Sequence, residues 1–119
     1  MPSTRRERLL LLDMVEAADA VSEFIHGVSE EEFVGNDLLR SAVLHKLQII
    51  GEAAAHVGEE TRLAMPQVPW PQVIGFRNYA VHVYFAVDWH IVWVTASDDA
   101  PLIRRKLQEL IESGAGEEP

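Results

Sequence analysis

The chain has 119 residues, 48% of them hydrophobic, no cysteine and a formal net charge of −9. That length supports one domain with a real core and excludes two, and the missing thiols exclude disulfides and thiolate metal sites and point to a reducing, cytoplasmic compartment. The acidic balance argues against non-specific nucleic-acid binding by the surface at large.

Thr4 to Glu7 has capping-box spacing. Leu9, Leu12, Val15, Val21, Phe24 and Ile25 follow at helical intervals, which predicts a helix over 5–26 closed by Gly27. Ser29 to Glu32 repeats the capping box before a short helix that ends near Gly35. Asn36 or Asp37 caps the next helix, which carries Leu39, Ala42, Val43, Leu47, Ile50, Ala53, Ala54 and Val57 as far as Gly58. Gly51, Ala54 and Ala55 are small residues on adjoining faces and mark a close helix crossing. A brief helical piece from Glu59 is stopped by Pro66, and residues 66–71, with three prolines, form a rigid connector.

From Trp70 or Pro71 a helix restarts through Val73, Ile74 and Phe76 and carries Arg77 on to His82. Asp88 is the N-cap of the last long region, where Ile91, Val92 and Val94 are apolar. Pro101 there either opens a separate helix in its first turn or kinks one, and Leu102, Ile103, Leu107, Leu110 and Ile111 complete the pattern. The β-branched and aromatic content of 79–93 makes a strand around Val81–Val87 a fair local reading. It has no partner strand elsewhere, so the fold class is all-α, an up-and-down bundle of four to five helices over residues 1–113 with a flexible acidic tail at 114–119. No signal-peptide core and no apolar run of membrane-spanning length is expected.

The stretch Arg77-Asn78-Tyr79-Ala80-Val81-His82-Val83-Tyr84 carries the chemistry. Arginine is a permanent cation whose rigid fork fits phosphate oxygens, and histidine accepts and returns a proton near neutrality. Together they suffice to cleave a phosphodiester without a metal. Positions five apart lie about 140° around a regular helix, so Arg77 and His82 do not share a face, whereas Asn78 and His82 do. Convergence of Arg77 and His82 on one phosphate then needs the helix to end near His82, or a second copy of the chain across an isologous interface. The plainer alternative is a histidine against the last carbonyls of a helix and an arginine on a solvated face.

Acid is concentrated at Glu30–Glu32, Glu59–Glu60, Asp98–Asp99 and Glu117–Glu118, and base at Arg5–Arg6–Arg8, Arg77 and Arg104–Arg105–Lys106. An RNA site requires the basic clusters to meet near Arg77; a basic protein partner is the second implication of the charge. Glu52 and His56 lie four apart, but a zinc site needs a third ligand, and a solvated ion pair is the better reading. Asp98 and Asp99 point apart on a helix and read as capping before Pro101. His26 and His45 have no evident partners, and His90, close to Asp88, stands as an accessory candidate.

The Arg77-Asn78-x-x-x-His82-x-Tyr84 string resembles the HepT toxins of the HEPN superfamily. Leu11-Leu12-Asp13, Glu32-Phe33 with Asp37-Leu38-Leu39, Ile49-Ile50-Gly51-Glu52-Ala53-Ala54, the segment from Pro69-Trp70 to Asn78, and Ala86-Val87-Asp88 with Trp93 also look like that family. The resemblance implies a helical homodimer and a metal-independent endoribonuclease without cofactor, with Arg77 and His82 catalytic and Asn78 supporting. It further implies a type VII-like toxin–antitoxin pair. The partner is then a nucleotidyltransferase antitoxin of the MntA type that silences the toxin by adding AMP to Tyr84. The family usually has glycine where this chain has Val83, and a β-branched residue resists positive φ, so the turn after His82 is expected to differ. The competing expectation is a non-catalytic helical subunit that presents nucleotide or RNA to a partner nucleotidyltransferase; a purely structural dimer leaves the Arg-Asn-His-Tyr grouping unexplained.

Overall fold

An amphipathic helix must bury its apolar stripe against another element, and three long helical runs do so here against one another. The computed structural model describes residues 5–79 and 88–113. In chain order these form α1 (Arg5–Ile25), α2 (Glu30–Val34), α3 (Asp37–His56), α4 (Glu59–Ala64), α5 (Trp70–Gly75), a 3₁₀ turn (Phe76–Asn78), α6 (Trp89–Val94), a π turn (Thr95–Asp99) and α7 (Ala100–Glu112). No strand occurs among the described residues, and the fold class is all-α as expected. The strand reading at Val81–Val87 and the tail at 114–119 lie outside the described residues. No described helix is long and apolar enough to cross a membrane.

α1 packs against both α3 and α7. Leu11, Met14, Val15, Ala18 and Val21 form its buried stripe, against Val43, Leu47, Ile50 and Ala54 of α3 and Ile103, Leu107 and Leu110 of α7. Each large side chain buried this way contributes about 1.5–3 kcal/mol of transfer free energy. The stripe is rotated from the expected one. Leu9, Leu12 and Phe24 are exposed, because residues 9–12 are leucine on every side and only the positions of α3 and α7 select the buried face.

The caps follow local chemistry. Gly27 closes α1 with φ +73, a conformation L side chains rarely adopt. Ser29 Oγ accepts from the Glu32 amide at 3.1 Å and the Glu32 carboxylate from the Ser29 amide at 3.0 Å, a complete capping box. The bond from the Ser29 amide, then that from its hydroxyl, holds the Glu32 carboxyl below the usual range. Of the two cap candidates for α3, Asn36 accepts from the Leu39 amide at 3.0 Å, while Asp37 pairs with Arg40 at 3.1 Å. Asp88 caps α6, accepting from the amides of His90 and Ile91.

Two features were beyond the local pattern. Thr4 of the expected first capping box lies outside the described residues, and the Glu7 carboxylate reaches across the fold instead. It is buried and accepts from the Gly58 amide at 2.6 Å and the Thr61 hydroxyl at 3.0 Å, which satisfies the N-cap amide at the start of α4. At the other end of α4 the Trp70 indole donates to the carbonyls of Arg62 and Met65, at 3.1 and 3.0 Å. The proline connector is thereby tied to the helix it terminates.

Pro101 does not interrupt its helix. α6 passes into α7 through the π turn, which loosens the turn ahead of the proline ring, and Pro101 sits in the first turn of α7. The expected capping by Asp98 and Asp99 is absent. Asp99 makes no side-chain cap bond and Asp98 accepts from the Ser97 hydroxyl, since the continuous helix leaves no free end: the Ala100 amide already bonds the Thr95 carbonyl. Burial, with Asp98 adjacent, raises the Asp99 carboxyl above its ordinary value.

Candidate functional site

Val73 and Phe76 are fully buried, and the two residues that follow Phe76 are exposed. An anchored ring one position before Arg77 fixes the backbone while leaving the guanidinium at the surface. α5 ends at Gly75, so Arg77 and Asn78 lie in the 3₁₀ turn rather than on a regular α-helix running to His82. A 3₁₀ turn advances about 120° per residue, against about 100° in a regular α-helix, over Phe76–Asn78. His82, Val83 and Tyr84 lie outside the described residues.

The floor beneath Arg77 is α3. A Cβ built on Gly51 would collide with the Arg77 amide nitrogen and would lie 3.0 and 3.1 Å from the carbonyl oxygens of Val73 and Ile74. The close crossing expected from the small residues of α3 is therefore made against the segment that carries Arg77. Next in sequence, Glu52 turns its carboxylate to the site: Oε2 is 4.0 Å from Arg77 Nη1, and Oε1 is 3.1 Å from His56 Nε2. All three side chains are about half exposed. Glu52 and His56 form the expected solvated pair; Arg77 as its third member was not foreseen, because 25 positions separate it from Glu52. Exposed ion pairs contribute about 0–1 kcal/mol, so Glu52 leaves the arginine fork open to a ligand.

Tyr79 fastens the far end of the turn. Its ring lies 5.5 Å from that of Phe76, and its hydroxyl is 3.4 Å from Thr95 Oγ1. Thr95 donates its own proton to the Ile91 carbonyl at 2.8 Å, so Tyr79 is the donor in that pair. The Arg77 segment is thus held by α3 on one side and by the π turn on the other.

Three other candidates, Arg104, Lys106 and His90, have partners elsewhere. Arg104 bonds Asp19 of α1 at 2.9 Å and Lys106 donates to the Gln67 carbonyl at 2.8 Å, so these two cations brace the bundle rather than gather at Arg77. His90 Nδ1 lies 2.9 Å from Glu30 Oε2, joining α6 to α2, beside a cluster in which Phe33 meets Trp89 and Trp93 and the Arg40 guanidinium lies 4.9 Å over the Trp89 ring. The hydrogen bond and then the charge of Glu30 raise the His90 pKa. A histidine with a raised folded pKa stabilises fully below its unfolded pKa, and the effect disappears as pH rises through the folded value. Melting temperatures of wild type and His90→Gln are therefore expected to differ most below the ordinary histidine pKa of about 6.5 and to converge as pH rises through the folded value. A constant difference across that range would show that the pair's charge does not matter.

The sequence profile of the family described as "Ribonuclease HepT-like" matches residues 14–110. A Methanocaldococcus jannaschii protein named as a candidate RNase is 35% identical over 106 residues, 89% of this chain and 97% of its own length. A second from that organism, similarly named, is 31% identical over 111 residues, covering 93% of this chain and 92% of its own. A Thermococcus cleftensis protein named as a probable ribonuclease HepT is 30% identical over 106 residues, covering 89% and 96%. No solved structure matches the chain. With the profile covering the α3 floor, the Arg77 turn and most of α7, the chain belongs to the HepT-like ribonuclease family.

Proposed function

We propose that the chain is a metal-independent endoribonuclease, the toxin of a toxin–antitoxin pair, working as a homodimer. The observation that carries this reading is the seat of Arg77: an exposed guanidinium on a backbone locked by Phe76 and Gly51, in a chain of the HepT-like ribonuclease family. RNA brings its own nucleophile, the 2′-hydroxyl beside the scissile phosphate, so the protein needs to supply only proton transfer and charge stabilisation.

His82 of one copy takes the 2′-proton as that oxygen bonds to phosphorus. The bond from phosphorus to the 5′-oxygen then breaks, and the leaving oxygen takes a proton from His82 of the second copy. Arg77 holds the non-bridging oxygens as charge builds on them, and Asn78 orients the histidine or donates to the phosphate. Because Arg104 and Lys106 are engaged by Asp19 and Gln67, the expected meeting of basic clusters within one chain does not supply the charge at this site; a second copy bringing its own Arg77 does. The products are a 2′,3′-cyclic phosphate and a 5′-hydroxyl. Incubation of the full chain with RNA in EDTA tests this; cleavage that stops on chelation, or 5′-phosphate ends, would overturn it.

Control follows from Tyr84, two residues past His82. A nucleotidyltransferase antitoxin that transfers AMP from ATP to its phenol oxygen, with pyrophosphate leaving, places a phosphate charge where it competes with substrate for Arg77, and the adenosine blocks entry. Tyr84→Phe is expected to remain an active ribonuclease and to escape silencing by the cognate antitoxin and ATP, read as AMP mass on the protein. A Tyr84→Phe protein that is still modified and silenced would place the control residue elsewhere.

A further inference from the structure

Resting on the ribonuclease reading, we propose that Glu52 is the positioning residue of Arg77: its carboxylate sets the direction of the guanidinium without occupying the phosphate-binding donors.

Three observations converge on it. The 4.0 Å separation from Arg77 Nη1 is too long for a hydrogen bond, so Glu52 steers the fork electrostatically and leaves its donors available. The second carboxylate oxygen is fixed one helical turn away by His56 Nε2 at 3.1 Å, which restricts the Glu52 rotamer. The backbones of the two residues are also held in register by the contact of Gly51 with the Arg77 amide, so the carboxylate starts from a fixed point relative to the arginine.

Charge separates positioning from binding. A carboxylate beside a phosphate-binding arginine, in a chain of net charge −9, repels RNA and weakens affinity. Its contribution is therefore to orientation, which appears in kcat. Loss of Glu52 is expected to lower kcat while leaving KM unchanged or lower. A merely structural residue would instead reduce activity in proportion to the folded fraction.

Steady-state cleavage of a single-stranded RNA oligonucleotide by the full chain tests this with wild type, Glu52→Gln, Arg77→Lys and the double variant, with melting temperatures alongside. Glu52→Gln keeps the side-chain length and an acceptor for His56 but removes the charge. Its kcat is expected to fall about threefold to fivefold, the most that an exposed, loosely held pair can bias the direction of the guanidinium, with unchanged melting. In the Arg77→Lys background the same change is expected to leave kcat unchanged, because a point charge on a flexible stem has no fork to orient. The proposal is overturned by a wild-type kcat in Glu52→Gln, by an equal loss in both backgrounds, or by a fall in melting temperature that accounts for the lost activity. An inactive wild type, or an Arg77→Ala variant as active as wild type, identifies the ribonuclease reading itself as the failure, and the proposal falls with it.

Discussion

Arg77→Ala is expected to lower RNA cleavage by about 10²–10³-fold, the cost of removing one donor group aimed at charge that develops in the transition state. His82→Ala is expected to cost about 10²–10⁴-fold, the usual contribution of a positioned general acid or base. Neither loss should come from unfolding. Arg77 is half exposed and its ion pair with Glu52 is loose, so its truncation is expected to change stability by no more than about 0.5 kcal/mol. Cleavage rates in EDTA, with thermal melts of the same preparations, separate the two causes. A variant that melts early in proportion to its lost activity would return the motif to a structural role. Asn78→Ala is the graded control, since an orienting group acts through His82 and its loss should fall short of either main effect.

The second large effect is expected from Gly51→Ala. In an ordinary helix interior this exchange is favourable by up to about 1 kcal/mol. Here the added methyl meets the Arg77 amide and the carbonyls of Val73 and Ile74, all backbone atoms in the segment pinned by Phe76. Relief requires the 3₁₀ turn to move away from α3, which costs about 1–3 kcal/mol as overpacking and shifts Arg77 from its place. Both the melting temperature and kcat are therefore expected to fall. Gly75→Ala supplies the contrast: its φ of −59 suits alanine and nothing lies within 4 Å of the added methyl, so a gain of about 0.4–1 kcal/mol is expected. Equal behaviour of the two variants would show that the α3 seat does not constrain the turn.

Most of the helical boundaries were legible because their signals are local. Ser29 with Glu32, Asn36 ahead of α3, Asp88 ahead of α6 and Gly27 after α1 each act within four residues, through a side chain on a free amide or a positive φ. The same locality explains the misses. The buried face of α1 was misjudged around Leu9 and Leu12, where periodicity is degenerate, and Asp98 and Asp99 do not cap because a π turn joins α6 to α7 across the proline.

The division is the same at the site. The residue types of Arg77, Asn78, His82 and Tyr84 suggest a chemistry but by themselves leave a structural role open; together with the surrounding segments they point to the family, and membership follows from sequence alone. The small residues of α3 likewise announced a close crossing. What crosses them, however, is a tertiary fact. That Gly51 faces the Arg77 amide, that Glu52 reaches its guanidinium across 25 positions, and that Glu7 closes the start of α4 51 residues away all depend on how α1, α3 and α5 pack. Periodicity fixes which side of a helix is apolar, but the partner that covers it is chosen by the summed packing of the whole core, which no short window of sequence contains.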